Sequence, residues 1–214
     1  MKTRLARFAL CGACLGLVLE GCATRPYDYT NFRAHPPRSI LVLPPLNEST
    51  DVKATYGYYS TVTLPIAEMG YYVYPVVVVD QFFRENGMPT PGEMHQAPLN
   101  RIREIIGADA VLYITLKQYG TKYLLITSAT TVKAEAKLVD TRTGAVLWEG
   151  GLMAQDNTGG SGNGIADLIV ALVGQAINQS TDHAHDVSST ANAQFAIKDH
   201  GLLYGPYSPQ YGKE

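Results

Sequence analysis

Residues able to do chemistry are few in this chain, and the densest group of them is Asp182-His183-Ala184-His185-Asp186. Imidazole and carboxylate side by side suit a divalent cation. On a helix, however, residues two apart point about 200° apart, so His183 and His185 cannot grip one ion. Asp182 would face His185, and His183 would face Asp186, as solvated pairs three residues apart. A second candidate is Gly159-Gly160-Ser161-Gly162-Asn163-Gly164, which precedes an apolar helical pattern as phosphate-cradling loops do. It lacks a Gly-Lys-Ser/Thr ending and the dinucleotide glycine pattern, and it falls one residue short of a nucleophile elbow, so it reads as a hinge. His35, His95 and His200 have no sequence neighbour that would make them acid or base. Nucleophile, base and orienting group cannot be assembled from this set. The chain therefore reads as a non-enzyme with no metal site.

One thiol has a clearer role. Lys2, Arg4 and Arg7 precede a charge-free apolar run over residues 8–19, and Leu19-Glu20-Gly21-Cys22 closes it. Twelve residues are too few to span a bilayer, which takes about twenty, whereas a basic start, a short apolar core and small residues before a cut describe a secretory signal. These residues resemble a bacterial lipoprotein signal, with Leu at −3, Gly at −1 and Cys at +1; Glu20 stands where that pattern has a small or apolar residue. The resemblance implies cleavage between Gly21 and Cys22, with diacylglycerol on the Cys22 sulfur and a third acyl chain, such as palmitate, on its amine. At ~0.8 kcal/mol per buried CH₂, two or more chains anchor stably. Ala23, where Asp would mark retention in the inner membrane, implies the outer membrane, with the domain facing the periplasm or exposed at the surface.

Cleavage removes Cys11 and Cys14, leaving Cys22 alone, so neither a disulfide framework nor a cysteine zinc site is available. It also removes Lys2, Arg4, Arg7 and Glu20, so 17 basic and 19 acidic side chains become 14 and 18, a net charge of −4. A mildly acidic chain without a basic run argues against nucleic acid as a partner. No cofactor is expected beyond the lipid on Cys22.

The remaining 193 residues suffice for one domain. Residues 22–38, with Pro26, Pro36 and Pro37 and no apolar period, read as a lipidated, extended tether. A single domain follows over 39–198, then an irregular tail over 199–214. Ser39-Ile-Leu-Val-Leu43 reads as a strand buried on both faces, and residues 46–53 as a polar loop. A helix is expected over 54–69, with Pro65 either kinking it or sitting in the first turn of a second helix, and Gly70 closing it. Tyr71-Tyr-Val-Tyr-Pro-Val-Val-Val-Val79 reads as a strand whose Pro75 puts it at an edge or marks a bulge, with Asp80 capping a short helix. A loop over 88–97 leads to a helix opened by Pro98, with Leu99, Ile102, Ile105 and Ile106 on one side and Gly107 as terminator. Residues 110–119 form a central strand. Residues 131–138 alternate Thr, Lys, Glu, Lys with Val, Ala, Ala, Leu, one wet face and one dry, and a turn at 140–144 returns the chain through Trp148.

Beyond the glycine run, Ile165, Leu168, Ile169, Leu172, Val173, Ala176 and Ile177 make a helical stripe, widened by Val170 and Ala171. Such a helix lies between the sheet and another layer or meets a second subunit, and the first six of these residues are the candidate dimer contact. A last helix over 182–197 places Ala184, Val187, Ala191 and Phe195 on one side. Tyr204, Tyr207 and Tyr211 in the tail are available for docking, and 14 Tyr against five Phe suit half-wet rims as well as strand pairing. The fold class is α/β (α+β): a mixed five-stranded sheet, two βα units followed by a β-meander, with helices packed on the sheet and long C-terminal helices.

That order, with Gly107-Ala-Asp-Ala-Val-Leu-Tyr113, resembles the TolB N-terminal domain and the core of CsgG-like lipoproteins, which serve as envelope adaptors. The Cys22 signal, Leu64-Pro-Ile-Ala-Glu-Met-Gly-Tyr-Tyr-Val-Tyr-Pro75 and Tyr204-Gly-Pro-Tyr-Ser-Pro-Gln-Tyr-Gly-Lys-Glu214 resemble the meningococcal genome-derived antigen lipoprotein family. The resemblance implies a dimeric outer-membrane lipoprotein working with a CsgG-like secretion or transport assembly, an envelope protein partner included. The alternatives are an activator of a peptidoglycan synthase, for which a tether of at most about 55 Å is short, and an envelope hydrolase, which the missing triad disfavours.

Overall fold

A computed structural model describes residues 27–123, 128–158 and 183–213. Its organising element is β1 (Ser39–Val42), every residue of which is buried. Alternation sends Ile40 and Val42 into one core and Leu41, with Leu43 after it, into a second core on the other face of the sheet. β1 pairs in parallel with β3 (Tyr72–Val73) on one side and with β4 (Ala110–Tyr123) on the other. Asp109 fixes that junction, its carboxylate accepting from the Arg38 and Ser39 amides at 3.0 and 3.3 Å. β5 (Ser128–Asp140) and β6 (Val146–Thr158) continue antiparallel, giving the order β3-β1-β4-β5-β6. The expected five strands form this path. The loop that follows β1 adds a sixth, β2 (Leu46–Asn47), paired in parallel with Thr115 and Leu116.

The β5–β6 turn is tied by the Asp140 carboxylate, which accepts from Thr143 N and Oγ1, both at 2.7 Å, and from Arg142 N at 3.1 Å. Burial alone would raise the Asp140 pKa; the Thr143 and Arg142 hydrogen bonds overcome it and hold the group below its usual range.

The first core lies between the sheet and α1 (Thr30–Ala34), α2 (Ala54–Tyr59), α3 (Thr63–Glu68) and α7 (His183–Asn192), whose elements all contribute to it. Pro65 sits in the first turn of α3, the second of the two arrangements its position allowed. Ala184, Val187, Ala191 and Phe195 are all buried, as their spacing predicts, although α7 ends at Asn192 and tightens into a 3₁₀ turn over Ala193–Ala196. Phe195 packs on Trp148 with ring centroids 5.7 Å apart, and the indole N–H donates to the His200 carbonyl at 2.8 Å. At Gly150 an added Cβ would come within 2.4 Å of that indole, so only glycine fits beneath it. The second core lies under α4 (Val76–Glu85), α5 (Pro91–Met94) and α6 (Leu99–Ile105).

Four expectations are corrected here. Val76–Val79 continues into a helix, not a strand. Pro75 stops β3 and its fixed φ starts a helix; Val79 and Phe83, four apart, then bury one stripe, while Asp80 pairs with Arg84 at 2.8 Å inside the helix in place of capping it. The loop over 88–97 contains α5, opened by a reciprocal capping box between Thr90 and Glu93. Ile105 is 54% exposed because the stripe of α6 centres on Ile102 and Ile105 falls on its outer flank.

The fourth concerns both ends of the body. Residues 27–38, expected as extended tether, pack on it: Phe32 is 2% exposed, the Tyr27 amide donates to the Asp199 carbonyl at 3.1 Å, and the Tyr29 hydroxyl donates to Gly201 O at 2.6 Å. Three aromatic residues within six positions provide the apolar area that a proline count overlooks. The tail clips back as well, with Gly205 N and Tyr207 N donating to Met69 O and Gly70 O at 2.9 and 3.1 Å. Gly70 has φ +91°, and a Cβ there would meet Ser208 N at 2.3 Å. The outer edge of β6 is closed by side chains: Asn31 Nδ2 donates to Val146 O at 3.2 Å, Glu149 N donates to the Tyr27 hydroxyl at 3.0 Å, and the Gln194 amide both accepts from Met153 N at 3.0 Å and donates to Met153 O.

Candidate docking groove on the meander

The second layer of helices covers β3, β1 and the start of β4 but stops short of β5 and β6. Among the described residues one face of the meander is left open, and a groove of about 830 Å³ lies along it. Its wall toward the helices is His95 and Leu99; its floor is Tyr113, Thr115, Glu135 and Lys137. Leu46 and the Pro44 carbonyl, which meets His95 Nε2 at 2.9 Å, put it just past the carboxyl end of β1. There the strand order reverses between β3 and β4, the switch-point position favoured by ligands of open α/β sheets.

The groove's polar groups are placed by strand alternation. A carbonyl can only accept, so the His95 Nε2 contact requires a proton on that nitrogen. Burial depresses the His95 pKa despite that hydrogen bond, and its ring stands edge-on to Tyr113 at 5.3 Å. Burial also raises the Tyr113 hydroxyl. Lys137 Nζ lies 5.8 Å over the Tyr113 ring, and Lys117, the extra residue at the β4 bulge, bridges Glu48 at 2.9 Å and Glu135 at 3.4 Å. This surface offers aromatic area, paired charges of both signs and a fixed imidazole. It can bind, and it holds no nucleophile beside a base.

Of the two pairs expected in this cluster, Asp182–His185 lies outside the described residues, and His183 finds another carboxylate than Asp186. His183 Nε2 meets Asp156 Oδ2 of β6 at 2.8 Å, because α7 lies across the meander and β6 supplies the nearer carboxylate. His185 turns to α2, its Nδ1 3.3 Å from both Gly57 O and Ser60 Oγ. That nitrogen must donate to the Gly57 carbonyl, so it cannot act as a base toward Ser60. Among the described residues no group of His, Cys, Asp or Glu is arranged to hold a metal ion. His35 Nδ1 meets Arg142 at 3.2 Å, and His200 contributes its backbone carbonyl to Trp148. Gly21, Cys22, Asp182, the glycine run 159–164 and the stripe of Ile165, Leu168, Ile169, Leu172, Val173 and Ala176 lie outside the described residues. Among the described residues no helix is long and apolar enough to cross a membrane.

No motif in the sequence marks this groove. Its signal was the wet side of the 131–138 alternation, where Glu135 and Lys137 sit, which looks identical whether it faces water or a partner.

The family model described as "Putative lipoprotein GNA1162-like" matches residues 27–207. The chain belongs to the GNA1162-like lipoprotein family. Within it, the curated protein "Putative lipoprotein NMB1124/NMB1162" of Neisseria meningitidis serogroup B is 41% identical over 196 residues, 89% of this chain and 91% of the relative. The crystal structure of lipoprotein GNA1162 from Neisseria meningitidis is 44% identical, covers 67% of this chain and 98% of its own, and superposes with a TM-score of 0.54. A PelC dodecamer from Paraburkholderia phytofirmans is 15% identical with a TM-score of 0.42, covering 72% of this chain and 86% of its own. The family and its solved member agree with the mixed α/β sheet described above.

Proposed function

We propose that this GNA1162-like lipoprotein is a non-enzymatic adaptor, anchored through acylated Cys22 in the outer membrane with its body in the periplasm, and that it grips a protein of a CsgG-like secretion or transport assembly. The observation that carries the reading is the open meander face. Tyr113, Glu135 and Lys137 lie there on an open surface that combines aromatic area with paired charges of both signs, suited to a partner's polar rim and aromatic core. Self-association through Ile165, Leu168, Ile169, Leu172, Val173 and Ala176 is the second part of the proposal, and light scattering at high concentration tests it.

The test of the adaptor role is a photo-crosslinking amino acid in place of Lys137 in the native envelope, with the same substitution at Glu104 on the far side of α6 as control. A crosslink from position 137 to a lipoprotein or pore component supports the reading. Capture of a peptidoglycan synthase would replace the partner, and no crosslink from 137 beyond that from 104 would overturn the docking role.

A further inference from the structure

We propose that the face formed by α1 and the chain from Leu202 to Lys213 lies flat on the phospholipid surface, a second membrane contact beside the acyl chains. The inference rests on the reading that Cys22 is acylated.

Its first support is reach. Tyr27 is pinned on the body, its amide on Asp199 and its hydroxyl under Glu149 N. Five Cα steps separate it from Cys22, which at ~3.4 Å per residue is at most about 17 Å. The 16-residue tether suggested by the proline pattern would have let the body range freely; four linking residues do not. Whatever surrounds Tyr27 is therefore held at the headgroups.

The second support is what surrounds it. The Tyr27 and Tyr29 rings are 5.0 Å apart, and the Arg33 guanidinium lies 6.0 Å over Tyr29. Arg33 in turn lines one depression of about 220 Å³ with Pro36, Tyr204 and Tyr211. Beside it Tyr207 is 70% and Tyr211 48% exposed, although the tail that carries them is tied by its backbone to Met69 and Gly70. Rigid backbone with outward tyrosines and nearby Arg33 and Lys213 is the composition of a bilayer interface, where ring and hydroxyl meet apolar and wet layers together. Arg33 and Lys213 stand on this face with Asp28 close by, charges of both signs that fit zwitterionic headgroups. The short linker supplies the affinity by keeping the local concentration of surface high.

The third support is the opposite pole. Phe32 and Leu202 belong to the first core, and Ile102 of α6 to the second, across the sheet. With the tyrosine face down, α6 lies on the far side of the sheet from the bilayer, while the docking groove, whose lining includes Val146 and Glu149, runs up to Asn31 and Tyr27 at the margin of that face.

The experiment uses full-length, signal-processed protein in phosphatidylethanolamine vesicles doped with a nickel-chelating headgroup lipid. Because the Cys22 sulfur would be a thioether, Tyr207→Cys, Tyr211→Cys and Glu104→Cys each carry a single spin label, and thermal melts confirm that each variant is folded. Nickel-dependent relaxation several-fold faster at positions 207 and 211 than at 104 is the expected result. Equal rates at all three, or the fastest at 104, overturn the proposal. Intact mass of the same samples separates the two failures: an unmodified Cys22 brings down the anchoring reading and this one with it, whereas acylated protein with equal rates brings down this one alone.

Discussion

Asn192 is fully buried at the end of α7 and joins that helix to α2 through two hydrogen bonds: its Oδ1 accepts from the Tyr58 hydroxyl, and its Nδ2 donates to Thr61 Oγ1 at 2.9 Å. In Asn192→Ala the Tyr58 hydroxyl, itself buried, loses its acceptor, whereas Thr61 still donates to Tyr58 O at 2.8 Å. An orphaned buried hydroxyl costs about 1–3 kcal/mol and the second lost bond about 1, so the variant should lose about 2–4 kcal/mol. At roughly 2–4 °C per kcal/mol for a chain of this size, the melting temperature should fall by about 4–16 °C. Tyr58→Phe removes the orphan, so the double variant Tyr58→Phe/Asn192→Ala should be less destabilised than the sum of the two by about 1–2 kcal/mol. Denaturant melts of the four proteins measure this. Strict additivity would refute the shared buried bond and with it the claim that α7 is locked to α2 by polar pairing.

Gly70→Ala forces a non-glycine residue to φ +91° against Ser208, at about 1–2 kcal/mol for the backbone alone; it should release the tail, and chymotrypsin should then cut near Tyr207 and Tyr211 faster than in the parent. Because the folded His95 has a depressed pKa, the unfolded chain binds more protons as pH falls below about 6.5, the ordinary value. Stability should therefore decline through that window, and His95→Gln should flatten the decline in urea melts taken from pH 7 to 5. Tyr58 and Tyr59 are shifted upward by burial, so above pH about 10 the unfolded chain releases protons the folded one keeps. Stability should drop there, with exposed tyrosines contributing the first rise in absorbance at 295 nm and a further rise appearing only as the fold is lost.

How much could be seen in the residues alone depends on whether local pattern or distant contact decides each segment. The two-residue period of 131–138 and the stripe Ala184, Val187, Ala191, Phe195 state their own burial, and both are buried as they read. Val76–Val79 is different: four β-branched residues favour a strand, and only Val79 and Phe83 meeting a core from another part of the chain, with Pro75 before them, make the helix win. Residues 27–38 and the tail are irregular in pattern, so their docking through Phe32, Tyr29 and Gly70 was invisible until tertiary partners were in place. The groove was legible only by half. Glu135 and Lys137 are readable as a wet face, but that no helix among the described residues covers them depends on where α6 ends relative to β5, which no local signal records.

The side chains laid along the outer margin of β6 have a bearing on life at a surface. On the proposed anchoring, molecules leashed to one leaflet would meet each other in two dimensions at densities far above those of free solution, and thirteen residues of unguarded strand would invite each copy to zip onto the next. Gln194, shaped like a fragment of peptide, occupies the place a neighbour's backbone would take at Met153, while Asn31 and Tyr27 do the same nearer the turn. Crowding can thus bring copies together without starting a fibre, and whatever pairing the lipoprotein does undertake is left to its side-chain surfaces.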